Sequence, residues 1–362
     1  MIVISGELLK KRALAPGQSD LRAICRDGGE VYNLLNEEHS QATVPGSLYC
    51  TENQGAISVS VFGKEEDRIR IIYQSCTNSE NPSPADSLKV TGFVLTKTRW
   101  KETPVRVLPI ESELFSRHRG VFETDAVANK KVLVAGLGAG GSEIVNGLAS
   151  SGVNDFVLID HDRVEIANIS RHVAGLSDDG RKKTNVVADK IREKNPYATI
   201  QTFEEKISWD NVETFRKLAR KSDLCICAID SKPAKLLFNR ICVEEMKKYL
   251  LAGAFRRSYG GQILVVEPYV SPCYQCFCMN LPEQSNDVEI SSDEQAELVA
   301  YTDRPVAAEP GLSTDIAPIS TMVVKLALQK LLKGTKTTLR SLDDDLVAPW
   351  FLWLNRREKG TQ

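Results

Sequence analysis

The chemistry-bearing residues of this chain concentrate around one glycine-spaced turn. Val132-Leu133-Val134-Ala135 runs into Gly136-Leu137-Gly138-Ala139-Gly140-Gly141-Ser142, a G-x-G-x-x-G spacing between a strand-like and a helix-like stretch. Such a turn needs glycine three times: for tightness, for close approach of the backbone to phosphate oxygens, and for packing of helix on strand. The helix that follows offers free N–H groups and a positive dipole end to an anion. Gly136, Gly138 and Gly141 are therefore expected to hold a nucleotide. Asp160 ends the next apolar stretch, Val157-Leu158-Ile159, where a carboxylate accepts hydrogen bonds from ribose hydroxyls. NAD-dependent dehydrogenases share this much, so turn and carboxylate leave the nucleotide open. A second constellation, Cys273-x-x-Cys276, has the spacing of half a tetrahedral zinc site.

The elements that must position these residues alternate. Lys131 to Ala135, Phe156 to Ile159, Leu224 to Ala228 and Gln262 to Val266 read as short, apolar strands. Between them Glu143 to Ser151, Asp179 to Lys194 and Pro233 to Tyr249 read as helices, with Val187 and Ile191 on one face of the second. Apolar strands separated by helices predict a Rossmann-type α/β fold, a mostly parallel sheet covered on both faces. Ile316, Ile319, Val323 and Leu326 share a helical face and are expected in the core. Before residue 110 the segments are β-leaning: Ala56 to Phe62 alternates, Arg68 to Tyr73 and Leu88 to Leu95 read as strands, and Thr77 to Pro84 reads as a loop. The expected organisation is a smaller α+β domain over 1–110, the α/β domain over 111–340 and a tail over 341–362.

Composition limits the rest. The 362 residues are 42% hydrophobic and 26% charged, and the formal net charge is −2. No global basic field recruits nucleic acid. No stretch approaches the run of about 18 apolar residues that a membrane span requires. With nine cysteines, an odd number, and no signal-peptide pattern at Met1 to Arg12, the expectation is a cytoplasmic protein with reduced thiols or bound metal rather than a disulfide framework.

The residues after Asp160 narrow the nucleotide. Asp160, Asp162, Val164, Asn168 and Arg171 match D-x-D-x-V-(x)3-N-(x)2-R, and here the chain resembles the ThiF/MoeB/ubiquitin-activating superfamily. Phe115-Ser116-Arg117-His118 is similar to the family's "YSRQ". Gly180-Arg181-Lys182-Lys183 is similar to its G-x-x-K, Asn195-Pro196 to its "NP" turn, and Cys227-Ala228-Ile229-Asp230-Ser231 to its "xxTDN". Pro272-Cys273-Tyr274-Gln275-Cys276 resembles "PCYRC". The resemblance spans roughly residues 113 to 333.

The resemblance implies an adenylyltransferase using ATP and Mg²⁺. A carboxylate attacks the α-phosphorus, pyrophosphate leaves, and cations rather than a base meet the developing charge. Arg171 and Lys183 are the implied cations, with Lys182 one position away. Asp230 is implied to hold Mg²⁺, Asp160 the ribose, and Asn168 to bond near the phosphates, with Asp162 either bracing the loop or touching ligand. Arg117 resembles an arginine finger supplied across a homodimer. The implied partner is the C-terminus of a ubiquitin-like or sulfur-carrier protein, or a ribosomally made peptide. A non-catalytic subunit of a heterodimeric complex is the third reading, against which the loop glycines, Arg171, Lys183 and Asp230 stand together.

The chain departs from the family at two places. The family completes its zinc site with a second Cys-x-x-Cys, which does not follow Cys276 in these 362 residues, where Cys278 is the last cysteine; either the chain is truncated before that pair or the half-site is empty. Ala307 fills the slot of the thioester cysteine before Glu309-Pro310-Gly311. Asn280 to Thr302 is acidic and expected to cross over the substrate channel. In the N-terminal domain, Glu30, Gln74, Cys76 and Ser83 to Asp86 are loosely similar to a JAB/MPN pattern that has lost its metal, since Gln cannot replace an imidazole ligand. A substrate clamp is the other reading.

Overall fold

The computed structural model describes residues 1–6, 8–9, 17–26, 30–34, 42–51, 63–75, 88–109, 113–280, 311–339 and 346–356. The chain forms two units, Met1–Arg117 and His118–Gln362, so the division falls shortly after the expected residue 110.

The first unit carries β1 (Ile2–Ser5), β2 (Gly17–Arg26), β3 (Val31–Leu34), β4 (Val44–Thr51), β5 (Ile69–Ser75), β6 (Leu88–Thr96), β7 (Arg99–Thr103) and β8 (Val105–Leu108). They form one mixed sheet in the order β7-β6-β5-β4-β2-β3-β1-β8. Its core is aliphatic: Ile2, Ile4, Leu34, Leu48, Ile69 and Ile71 are fully buried. The strands expected at Arg68 to Tyr73 and Leu88 to Leu95 are β5 and β6. The strand expected at Ala56 to Phe62, the loop at Thr77 to Pro84, and Cys76 with Ser83 to Asp86 lie outside the described residues.

The second unit is built on β9 (Lys131–Ala135), β10 (Asp155–Ile159), β11 (Thr199–Phe203), β12 (Leu224–Cys227), β13 (Tyr249–Ala254), β14 (Gly260–Val266) and β15 (Trp350–Leu354). Its long helices are α1 (Ala139–Ser150), α2 (Lys183–Lys194), α3 (Val212–Lys221), α4 (Lys232–Glu244) and α6 (Ser313–Leu332), with a short α5 (Tyr274–Met279). The sheet order is β11-β10-β9-β12-β13-β14-β15. The strands from β11 to β13 pair in parallel, and β14 and β15 pair antiparallel. Helices cover both faces. Ile144, Val145 and Leu148 of α1, Val187 and Ile191 of α2, and Ile319, Val323 and Leu326 of α6 fill one side. Phe215 of α3 and Leu237, Phe238 and Ile241 of α4 fill the other. Each such side chain contributes roughly 1.5–3 kcal/mol by leaving water.

Two expectations are corrected. The helix read over Pro233 to Tyr249 ends at Glu244, because Met246 takes a left-handed φ of 54°. Tyr249-Leu250-Leu251-Ala252 is instead a strand, buried throughout. Residues 341–362 are not simply a tail, since Trp350–Leu354 pairs along β14 from Ile263↔Phe351 to Gly260↔Leu354. Among the described residues, no helix is long and apolar enough to cross a membrane.

Candidate active site

Strand order places the site. β10 lies on one side of β9 and β12 on the other, so the chain reverses its winding between β9 and β12, and a crevice opens at their carboxyl ends. Ala135 pairs with Ile159 on one side and Cys227 on the other. Gly136, Asp160 and Ala228 therefore emerge at one level. Gly136 has φ 88°, and a Cβ there would lie 2.5 Å from the Ala228 carbonyl oxygen. A Cβ on Gly141 would lie 1.9 Å from the Gly136 carbonyl oxygen, whereas one on Gly138 meets nothing within 4 Å. Two glycines are thus dictated by packing. The third faces open space at the N-terminal cap of α1.

The turn is held from two sides at Leu137. Its N–H donates to Asp160 Oδ2 at 2.6 Å, and its carbonyl oxygen lies 2.7 Å from His172 Nε2. Asp160 Oδ1 accepts from the Asp162 N–H at 2.8 Å. Both oxygens of the carboxylate expected to hold ribose are thus engaged in shaping the loop. The Ala174 N–H donates to His172 Nδ1 at 3.0 Å, which leaves Nε2 as the protonated nitrogen donating to Leu137. No motif in the sequence points to His172. A buried histidine with two backbone partners has no spacing by which it could be found.

Burial, with the Lys183 charge, holds His172 below its ordinary pKa of 6.5, against the pull of the Leu137 carbonyl, Asp160 and Asp178. Above pH 6.5 the imidazole is neutral in folded and unfolded chains alike, and its contribution is complete. Below it the unfolded chain takes up a proton that the folded chain resists, so stability falls with pH. Thermal unfolding at pH 7.5 and pH 5.5 should show a smaller acid loss in His172→Gln than in the parent. Equal losses would remove this role.

The cations come next. Val164 N–H donates to the Arg181 carbonyl at 2.8 Å, Gly180 N–H to the Val164 carbonyl at 2.9 Å, and Lys183 N–H to the Asp162 carbonyl at 3.0 Å. This pairing brings the Lys183 ammonium to Asp162 Oδ2 at 2.7 Å, with Lys183 buried. Lys182 pairs instead with Glu204, which separates the two lysines. Burial alone would raise the Asp162 carboxyl, but the hydrogen bond and charge of Lys183 outweigh it and hold the group below its ordinary value. Arg171 is half-buried, and its guanidinium would lie 3.4 Å from a Cβ on Gly311, a position also 2.1 Å from Ser258 Oγ. Asn168 Oδ1 accepts from the Glu165 N–H at 3.1 Å, a capping role for the turn Ile166–Ile169. Asp230 is exposed and lies three residues beyond the end of β12. Arg117 is the exposed last residue of the first unit.

Metals divide these residues. Asp230, an exposed oxygen donor at the crevice edge, suits a hard cation such as Mg²⁺. Asp160, His161 and Asp162 bring ligand atoms within 4.8 Å of one another, a grouping the sequence reading did not expect. The Asp160 oxygens already accept from two N–H groups, and Asp162 is paired with Lys183. Cys273 and Cys276 supply two of the four donors that zinc takes, and among the described residues no third Cys, His, Asp or Glu groups with them. Ala307 and the 281–310 segment lie outside the described residues.

Known proteins are similar to part of this chain. "Ubiquitin-like modifier-activating enzyme 5" of Caenorhabditis elegans is 29% identical over 164 residues, covering 43% of this chain and 39% of the relative. "SAMP-activating enzyme E1" of Haloferax volcanii is 31% identical over 156 residues, covering 43% of this chain and 56% of the relative. The chain thus spans between two-fifths and three-fifths of the length of these relatives. The crystal structure of E. coli MccB with ATP is 22% identical, with a TM-score of 0.46 over 60% of each chain. The ThiF family profile matches residues 113–345, from before β9 to beyond α6, and the chain belongs to the ThiF family.

Proposed function

We propose that this chain adenylates the C-terminal carboxylate of a ubiquitin-like or sulfur-carrier protein, using ATP and releasing pyrophosphate. What supports this reading is a preformed glycine turn packed on Ala228, two residues before Asp230, with a buried Lys183 fixed on Asp162 beside the loop that Asp160 holds to that turn. The carboxylate is ionised at neutral pH and needs no base. Its oxygen bonds to the α-phosphorus while the bond to the bridging oxygen breaks. Lys183 and Arg171 then face the charge that grows on the phosphates, worth most when such groups are fixed in advance. Asp230 is the residue that would hold Mg²⁺, which supplies charge neutralisation across phosphate oxygens when bound. Asp162 serves by anchoring Lys183. Arg117 is assigned to the finger that one copy lends another in a homodimer.

ATP–pyrophosphate exchange, stimulated by a Gly-Gly-ended carrier protein, tests the reading. Asp230→Ala should lower exchange by at least about a hundredfold while leaving thermal unfolding nearly unchanged, because the side chain is exposed. Full exchange in that variant removes the assignment. Stimulation by a free peptide alone transfers the activity to the peptide class. ATP binding without exchange for any acceptor makes the chain a non-catalytic subunit.

A further inference from the structure

Cys273 and Cys276 do not make a zinc site among the described residues, yet their turn is firmly built. The Tyr274 N–H donates to Asn239 Oδ1 at 2.9 Å and to the Tyr249 hydroxyl at 3.2 Å, and the Tyr249 hydroxyl donates to Asn239 at 2.5 Å. Tyr274 and Tyr249 are fully buried, so the turn hangs on the core between α4 and β13. Below it the Phe277 N–H donates to the Cys273 carbonyl at 2.9 Å, and Asn280 Nδ2 donates to the Cys276 carbonyl at 2.8 Å. Within this frame the Cys273 thiol donates to Cys276 Sγ at 3.6 Å, with Cys276 exposed and both free.

A disulfide needs about 2.05 Å between its sulfurs. The sulfurs already touch, and the remaining approach is about 1.5 Å by that standard. Cys-x-x-Cys beside a βαβ sheet is also the arrangement of dithiols that cycle with small disulfides. We propose that Cys273 and Cys276 are a redox-active pair that closes reversibly to an intrachain disulfide, in place of the metal half-site their spacing suggests. The oxidant class is a small disulfide such as oxidised glutathione. One cysteine sulfur, after losing its proton, attacks a glutathione sulfur. The glutathione S–S bond breaks, and one glutathione thiolate leaves and takes up a proton. The second cysteine sulfur, losing its proton, attacks the first and displaces the other glutathione. Two protein thiols are oxidised and one small disulfide is reduced to two thiols. This chemistry is independent of the adenylation proposed above and stands or falls without it.

The full chain, equilibrated in glutathione buffers from fully reduced to fully oxidised, is trapped with an alkylating agent and read by mass spectrometry. The oxidised chain should be lighter by about 2 Da, with Cys273 and Cys276 in one cross-linked peptide, both resistant to alkylation and both recovered with dithiothreitol. Cys273→Ser and Cys276→Ser should each stop one step earlier, carrying glutathione on the remaining cysteine. Zinc measured in the chain purified without chelator should stay well below one per chain. Complete alkylation of both residues at every ratio overturns the proposal, as does stable glutathione on both cysteines of the parent chain. So does one zinc per chain that the serine variants lose. Circular dichroism of the variants, expected to match the parent, keeps a misfolded protein from passing as a negative result.

Discussion

Gly141→Ala should unfold the pocket before any ligand is added. The new methyl would sit 1.9 Å from the Gly136 carbonyl oxygen and 3.3 Å from the Ala228 side chain. Neither can give way cheaply. Gly136 is held by its N–H to the Ile159 carbonyl at 2.9 Å, and the Ala228 N–H donates to the Ala135 carbonyl at 2.8 Å. Overpacking against backbone of this kind costs about 3 kcal/mol, read as a lower midpoint in denaturant unfolding, and ATP affinity should fall at least about a hundredfold with the turn. Gly138→Ala is the informative contrast. Its methyl meets nothing within 4 Å, so the folded chain should keep its stability while ATP, competing for that space, binds more weakly. If Gly138→Ala binds ATP as well as the parent, the open face of the turn is not where the phosphates lie.

Lys183→Ala and Lys182→Ala, one residue apart, should differ by orders of magnitude in ATP–pyrophosphate exchange. Lys183 is buried and fixed on Asp162. Losing a charge preset toward the phosphates should lower exchange by roughly 10²–10³-fold. Lys182 forms a half-exposed pair with Glu204, the kind of pair that contributes about 0–1 kcal/mol, and its loss should leave exchange near the parental rate. Lys183→Arg is a stringent third variant. It keeps the charge but not the compact ammonium that Asp162 grips, and is expected to recover only part of the activity. Equal rates for the two alanine variants would take Lys183 out of the mechanism.

The sequence made the scaffold legible where periodicity and spacing are local. The strand at Lys131 to Ala135 was expected with its observed bounds, because a wholly apolar run ending in Gly136 admits little else. Long-range facts were less accessible. The strand at Tyr249–Ala254 was absorbed into the preceding helix, since Tyr249-Leu250-Leu251-Ala252 is apolar without a period and only the left-handed Met246 separates the two. At the site, glycine spacing pointed to the turn, but not to the division of labour within it. That division depends on Ala228, which lies far along the chain and meets Gly136 only through strand pairing. Asp160 was expected to hold a ligand and is engaged with the backbone of its own loop. His172 is not legible in the sequence, because its partners are main-chain atoms, which carry no sequence signature. Lys183 could be chosen over Lys182 only once the pairing of Asp162–Val164 with Gly180–Lys183 was in view.

The outermost strand of the second sheet has a consequence for biosynthesis. Residues Trp350–Leu354 cover β14 from far downstream, although every pocket residue discussed here precedes them. While the chain is still emerging from the ribosome, the N–H and C=O groups of β14 stand open along one side, a template for pairing with another nascent chain. A fragment ending before Trp350 would hold the full complement of glycines, acids and cations and still be prone to aggregate, so its poor recovery would say nothing about catalysis.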